Sequence, residues 1–373
     1  MPSDARAKHR RIFQELHLKI ATGQFAPGEQ IPTESELAEA YGASRPTVAR
    51  AIRELERGGF VVRRRGAGTF VADRRSAPAG LLGLIVPRPG EGIFAPMCDA
   101  VVREARKAGY GVLLAGSLMH GADVSLEREE AFCEQLLTQR VAGVFFGPLD
   151  VRTGQADINT QIAERLDRSG IPVVLLDRDI CDYPHRSRFD LIGVNNRRGG
   201  YLATSHLLRL GCRRIEFVTH GYLVSTATAR IEGYRDALGE AGIGFQPSWV
   251  HRWNPEDRRF VRELIRPPHA DAFVCVNDRV AASLMHNLAV LGVRVPDDVR
   301  LVGFDDIEAA ARLPSPLTTV RQPAAEVGIV ATRMLLERMA DPSFPAREVA
   351  LNCELIVRES CGARLSNRSA AAG

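Results

Sequence analysis

From Leu81 onward the chain repeats one pattern: a short apolar run, an amphipathic stretch, then another short apolar run. The apolar runs are Leu81–Val86, Gly111–Ala115, Ala142–Phe146 and Pro172–Asp177. A second series follows at Leu191–Val194, Arg214–Thr219, Ala272–Val276 and Leu301–Phe304. Helical periodicity fills the gaps over Ala95–Ala108, Leu126–Gln139, Gln155–Ser169, Arg197–Leu210, Ala227–Ala241, Pro255–Ile265, Arg279–Leu291 and Ala324–Met339. Strands separated by helices have no hairpins to make them antiparallel. They pair in parallel through helical crossovers, which makes this an α/β chain. So many units over ~280 residues exceed one hydrophobic core, so two lobes are expected. Ligands of such sheets sit outside the carboxyl ends of the strands, here in a cleft between lobes.

Residues 28–70 are organised differently. Thr33 and Glu36 have capping-box spacing, and the helix they open ends near Gly42. Ser44 is placed to cap the next helix, with Pro46 in its first turn, where a missing N–H costs little. Val48, Ala51, Ile52 and Leu55 form its apolar stripe, which leaves Arg45, Thr47, Ala49, Arg50 and Arg53 on other faces. A helix with one buried side and arginines opposite suits the DNA major groove, where a guanidinium grips guanine through two hydrogen bonds. Gly58 and Gly59 stop this helix. Phe60–Arg64 and Thr69–Ala72 then read as a basic hairpin around Arg65-Gly66-Ala67-Gly68. The charge is distributed to match. Residues 1–80 hold fourteen Lys/Arg against nine Asp/Glu, a net +5, whereas the whole chain carries only +4. The excess lies in the head, as a phosphate-binding module requires. A solvated hairpin face would explain Arg63, Arg64 and Arg65, but not the capped helix pair before them.

Residues 8–73 resemble the winged helix-turn-helix head of the gluconate-repressor (GntR) family. The likeness is carried by Pro27-Gly28, Ile31-Pro32-Thr33-Glu34, Glu36-Leu37-Ala38, Ser44-Arg45, Thr47-Val48 and Gly66-Ala67-Gly68-Thr69-Phe70-Val71. It implies double-stranded operator DNA as partner. The residues it places at the DNA are Thr33, Glu34 and Ser35 at the first helix start, Ser44, Arg45, Pro46, Thr47 and Arg50 on the groove helix, and Arg64, Arg65, Gly66 and Gly68 in the wing. The chain departs from the family at Ala49 and Ser35, where arginine is common, so its half-site is expected to differ from the usual one.

Residues 81–362 resemble the effector-binding core of the lactose-repressor (LacI) family, which shares the fold of periplasmic sugar-binding proteins. The matching text includes Val194-Asn195-Asn196, Arg230-Ile231-Glu232-Gly233-Tyr234, Asn277-Asp278, Val302-Gly303-Phe304-Asp305-Asp306 and Pro316-Leu317-Thr318-Thr319-Val320. The resemblance implies a small sugar-like effector between the lobes, held by Arg230, Asn277, Asp305 and Asp177, with Trp253 and Phe94 as aromatic walls. An arginine fork suits paired hydroxyls or a carboxylate, an amide offers donor and acceptor, and a carboxylate accepts two hydroxyls. Other readings stand beside these: Asp305 as a helix cap, Trp253 and Phe94 as core. The hinge helix usual before such cores is missing from Arg74-Arg75-Ser76-Ala77-Pro78-Ala79-Gly80. Together, the two resemblances are those of chimeric arabinose-repressor-like regulators.

Composition narrows the remaining classes. With 45% hydrophobic and 25% charged residues the chain is globular in character. It shows no long apolar run and no signal-peptide pattern, so a cytoplasmic, non-membrane protein is expected. The seven cysteines form no Cys-x-x-Cys pair, which argues against zinc and against a disulfide framework. No nucleophile elbow, P-loop, His-Glu-x-x-His or cofactor-lysine segment occurs, so neither an enzyme nor a cofactor is expected. The expected organisation is a DNA-binding domain over 1–73, a linker over 74–80, an effector-binding and dimerisation core over 81–362 and a frayed tail over 363–373. The function expected is that of a homodimeric, sequence-specific DNA-binding repressor controlled by a small sugar-like effector bound between the two core lobes. The alternatives are an activator or co-repressor-dependent regulator with a non-sugar ligand and, behind it, an enzyme fused to a DNA-binding head.

Overall fold

The computed structural model describes residues 2–21, 24–57, 60–64, 67–71, 80–115, 126–149, 157–221, 223–253, 257–267 and 269–363. Gly58, Gly59, Arg65, Gly66, Ala72, linker residues 74–79, Gln155, Pro255 and the tail from 364 lie outside them. The chain divides into two compact units, Met1–Leu81 with Arg106–Gly111, and Leu82–Ala105 with Val112–Gly373.

The first unit holds α1 (Pro2–Ala21), α2 (Glu34–Ala40), α3 (Arg45–Arg57), β1 (Val61–Arg64) and β2 (Gly68–Val71). Thr33 and Glu36 form the expected capping box at α2, with the Thr33 N–H donating to Glu36 Oε2 at 2.7 Å and the Glu36 N–H to Thr33 Oγ1 at 3.3 Å. Val48, Ala51, Ile52 and Leu55 of α3 are buried with Ile12 and Leu16 of α1, Leu37 of α2 and Val61 and Val71 of the hairpin. Strands β1 and β2 pair antiparallel, Val61 opposite Val71 and Arg64 opposite Gly68. The segment before α2 adds to this hairpin: Gly28 N–H donates to Val71 O at 3.0 Å and Ile31 N–H to Thr69 O at 2.9 Å.

The second unit contains two six-stranded sheets. The first lobe runs β3 (Leu81–Ile85), α4 (Phe94–Lys107), β4 (Gly111–Ala115), α5 (Leu126–Thr138), β5 (Gly143–Phe146), α6 (Asp157–Arg168), β6 (Val173–Leu176) and β7 (Asp190–Val194). The second runs α7 (Asn196–Arg209), β8 (Ile215–His220), α8 (Ser225–Glu240), β9 (Val250–Trp253), α9 (Arg258–Leu264), β10 (Ala272–Cys275), α10 (Asp278–Val290), β11 (Arg300–Asp305) and β12 (Thr318–Arg321). The chain then returns through α11 (Ala324–Ala340) and β13 (Glu348–Leu351) to the first sheet and crosses again into β14 (Glu354–Ile356). The sheet orders are β4-β3-β5-β6-β7-β13 and β9-β8-β10-β11-β12-β14, so both lobes have the same doubly wound arrangement. Strands β3, β5, β6, β7 and β13 pair in parallel in that order, as do β9, β8, β10, β11 and β12, while β14 is antiparallel to β12.

The strands and helices read from the sequence are present, with ends that coincide or differ by up to three residues. Two points differ. Strand β7 belongs to the first sheet, between β6 and β13, rather than opening the second series. Strands β9, β12, β13 and β14 were not expected. Helices α7 and α8 approach closely because Gly200 and Gly233 lie at their contact. A Cβ on Gly233 would stand 1.8 Å from Arg197 O, and one on Gly200 2.0 Å from Arg230 O. Among the described residues no helix is long and apolar enough to cross a membrane.

Candidate functional sites

On the first unit, α3 buries its apolar stripe and leaves Arg45, Pro46 and Arg50 exposed, with Thr47 half-buried. The Ser44 and Thr47 hydroxyls bond each other at 2.8 Å. Ser44 thus meets the helix start through a side chain as well as through its carbonyl, which accepts from Thr47 N–H at 2.9 Å. The hydroxyl of Thr33 is engaged in the capping box, and Ser35 is exposed beside it. Glu34 forms an ion pair with Arg63 of β1, which ties the wing to the start of α2. This partner was not apparent in the sequence, because the two residues belong to elements that meet only in the fold. Arg64 lies over the Phe70 ring at 4.8 Å. Gly68 has φ +118° and packs under Gln30, whose Nε2 would be 2.3 Å from an added Cβ. A side chain at Gly68 would therefore be both strained and obstructed. Arg65 and Gly66 lie outside the described residues.

On the second unit, Asp177, Asn277, Asp305 and Trp253 lie at or just past the carboxyl ends of strands from both lobes, where a doubly wound sheet binds ligands, while Arg230 lies in α8 and Phe94 opens α4. Asp177 follows β6 and Asp305 ends β11. Both have positive φ, +70° and +115°, as does Asp306 at +57°. Such conformations are costly for residues with a Cβ and cluster at functional sites. Arg230 of α8 is buried. Its Nε donates to Asn196 Oδ1 at 2.8 Å, and its Nη1 donates to Val276 O at 2.6 Å and lies 3.9 Å from Asp305 Oδ1. The guanidinium stacks 3.6 Å from the Phe304 ring centroid. Gln322, just past β12, donates to Asp305 Oδ1 at 2.6 Å.

Burial pushes the Asp305 carboxyl up to about 6, with the Asp177 charge adding to the rise and Arg230 and Gln322 opposing it. Asp278, at the start of α10, is more deeply buried. Burial and the neighbouring Asp305 charge raise its carboxyl, against hydrogen bonds from the Thr319 hydroxyl at 2.5 Å and the Ile307 N–H at 3.0 Å.

Asn277 caps α10 through an Oδ1 bond from Val280 N–H at 3.0 Å, and its amide nitrogen lies 3.3 Å from Nε2 of His220, the last residue of β8. In the first lobe, Arg178 reaches Pro148 O at 2.6 Å and Asp177 Oδ2 at 3.3 Å. Phe94 opens α4 and is half-buried, its ring 3.4 Å from where a Cβ on Gly147 would stand.

Arg230 and Asp305 are thus brought together, and Asn277 stands on the neighbouring strand end. Trp253 is placed differently. It is buried against Phe260, ring centroids 6.0 Å apart, and its Nε1 donates to Asp257 O at 3.3 Å. That packing favours the core reading of Trp253 over a ligand wall. Arg178, Asn196, His220 and Gln322 were not singled out in the sequence. Each lies within two residues of a strand's carboxyl end, the signal that could have found them. Among the described residues no three His, Cys, Asp or Glu side chains gather as a metal-binding group.

Comparison with known proteins finds matches in both units. Residues 8–71 match bacterial regulatory proteins of the gntR family, and residues 204–361 match the periplasmic binding protein-like domain. An arabinose metabolism transcriptional repressor of Geobacillus stearothermophilus is 28% identical over 368 residues, 95% of this chain and 97% of that protein. The HTH-type transcriptional repressor PurR of Aliivibrio salmonicida is 30% identical over 284 residues, 75% of this chain and 80% of that protein. The crystal structure of transcription regulator CcpA of Lactococcus lactis aligns with a TM-score of 0.64 at 25% identity, covering 75% of this chain and 98% of that one. All three are named as transcription regulators.

Proposed function

The chain belongs to the family of transcriptional repressors with a gntR-type DNA-binding head and a periplasmic-binding-protein-like core, and from that premise we propose that its operator affinity is set by a neutral sugar bound between the two core lobes. The observation that carries this reading is the set of polar groups gathered at the strand ends: Asp305 and Asn277 of one lobe with Arg230 of α8 beside Asp305, and Asp177 of the other, whose charge acts on Asp305. Donors and acceptors fixed by their own hydrogen bonds are what orient a polyhydroxylated ligand. The naming of one relative for arabinose metabolism makes pentoses the first candidates.

Arg45, Thr47 and Arg50 of α3 are assigned to the major groove, with Ser44 and Pro46 at its start. Glu34 and Ser35 of α2 and Arg64, Arg65, Gly66 and Gly68 of the wing are assigned to its flanks. The remaining assignments follow from the same premise: head over 1–73, linker over 74–80, core over 81–362, a cytoplasmic homodimer on a two-fold operator and no catalytic activity. Ligand that binds one lobe arrangement more tightly shifts the DNA-bound population by that difference in affinity. Calorimetric titration of full-length protein with pentoses and hexoses tests the reading. One sugar is expected to bind, and to do so without Arg230-dependent contacts only if the assigned pocket is wrong.

A further inference from the structure

Glu91 lies in the turn between β3 and α4. Its N–H donates to Arg88 O at 3.1 Å, and its carbonyl accepts from Phe94 N–H at 3.2 Å, so its backbone is tied to the start of α4. Its carboxylate does not stay in that lobe. Arg279, the second residue of α10, donates from Nη2 to Glu91 Oε2 at 2.6 Å. The pair joins residues 188 positions apart. Glu91 lies three residues before Phe94 and Arg279 two residues after Asn277, and the charge of Arg279 reaches Asp305.

Arg178 and Arg230, the arginines that touch Asp177 and Asp305, are held differently. Arg178 is engaged by Pro148 O and Asp177, and Arg230 by Asn196, Val276 O and the Phe304 ring. Arg279 is held by one carboxylate, and its side chain is 56% exposed. Its charge acts on Asp305, where it helps to lower a carboxyl that burial raises. Without Glu91, this guanidinium and the first turn of α10 would offer an oxyanion a charge-assisted site at the cleft mouth.

We propose that Glu91 is a specificity-determining residue: by occupying Arg279 it makes the cleft take an uncharged polyhydroxylated ligand in preference to the same molecule carrying a phosphate or carboxylate. An anionic ligand has to displace Glu91 and then stand beside the Asp305 and Asp177 carboxylates. A neutral one leaves the pair intact. The inference rests on the cleft being the effector site, and the experiment separates the two ideas.

Full-length wild type, Glu91→Gln and the double variant Glu91→Gln/Arg279→Gln are titrated by calorimetry with inorganic phosphate, with ribose and ribose 5-phosphate, and with glucose and glucose 6-phosphate. Thermal melting checks that each is folded. Wild type is expected to favour sugar over ester. Glu91→Gln is expected to shift that ratio toward the ester by about tenfold or more, the size of one charged hydrogen bond, and to acquire phosphate binding that the double variant loses. A wild type that prefers the ester, a Glu91→Gln ratio equal to wild type, or a gain that survives loss of Arg279 overturns the proposal. Arg279-dependent phosphate binding by Glu91→Gln with no sugar binding by any protein supports the filter and removes the sugar reading. Silence of all three proteins toward every probe removes both.

Discussion

Arg230→Ala should damage the core as well as the ligand site, and the structure gives the size of the damage. The side chain is 8% exposed, so solvent screens its interactions little. Truncation removes a 2.8 Å bond to Asn196 and a 2.6 Å bond to Val276 O, leaving both acceptors without their donor. It also strips the Phe304 ring of its cation and Asp305 of the charge 3.9 Å away. Hydrogen bonds to a charged group contribute about 1.5–3 kcal/mol each, and breaking a buried ion pair from one side costs about 3–5 kcal/mol. These losses share atoms and do not add, so about 4 kcal/mol is expected for the whole. For a domain of this size that lowers the melting temperature by about 8–15 °C. Arg279→Ala provides the control. Its ion pair is largely exposed, and its loss should cost less than about 1 kcal/mol. Thermal unfolding of the two variants without ligand is the assay. If Arg230→Ala melts within about 2 °C of wild type, less than one kcal/mol is at stake. Arg230 is then not the joint between α7, β10 and β11 described above.

Other substitutions test separate parts of the account. Gly233→Ala puts a Cβ 1.8 Å from Arg197 O and should force α7 and α8 apart. Gly239→Ala, on the same helix with nothing within 4 Å, should stabilise by about 0.5–1 kcal/mol; equal melting of the two would refute the close-packing argument. Arg45→Ala should cost ~1–3 kcal/mol of specific operator affinity and relax preference at one position, whereas Arg64→Ala should weaken specific and non-specific binding alike. Anisotropy titrations on matched and scrambled duplexes distinguish them. Asp305 has a carboxyl raised to about 6 by burial. Its contribution to core stability is present below the ordinary carboxylate range and is lost as pH rises through 6. Ligand hydroxyls need the ionised form as acceptor, so sugar affinity should increase over the same interval. Asp305→Asn should bind more weakly and with a flat profile from pH 5 to 7.5, read by calorimetry; an unchanged slope would assign the titration elsewhere.

The parts of the fold legible in the sequence were those with strong local signals. The Thr33–Glu36 box and the Val48, Ala51, Ile52, Leu55 stripe act within a few residues, and they stand in the structure as the spacing implied. The central strands were legible because burial on both faces makes them uniformly apolar. Strand β13 reads Glu-Val-Ala-Leu, alternates exposed and half-buried, and forms a sheet edge, so its composition resembles a loop or a helix end. Strand β14, also at an edge, has only three residues. The return of α11 and β13 to the first sheet depends on partners some 150 residues earlier, such as Leu191 opposite Glu348, which no local window contains. At the cleft, the family resemblance singled out Arg230, Asn277 and Asp305 as candidates. It could not show that Arg230 is bound by Asn196 and Val276, that Trp253 packs on Phe260, or that Glu34 pairs with Arg63, because each depends on tertiary proximity.

The central claim is that one chain couples a DNA-reading head to a ligand-binding core. It is tested most directly by fluorescence anisotropy of the full-length protein on an operator selected from a random duplex pool, with and without the sugar found by calorimetry. Sequence-selective binding is expected, with an affinity that falls by about fivefold or more at saturating sugar, the usual scale of coupling between two sites. Selective DNA binding that is indifferent to a sugar the core demonstrably binds would contradict it.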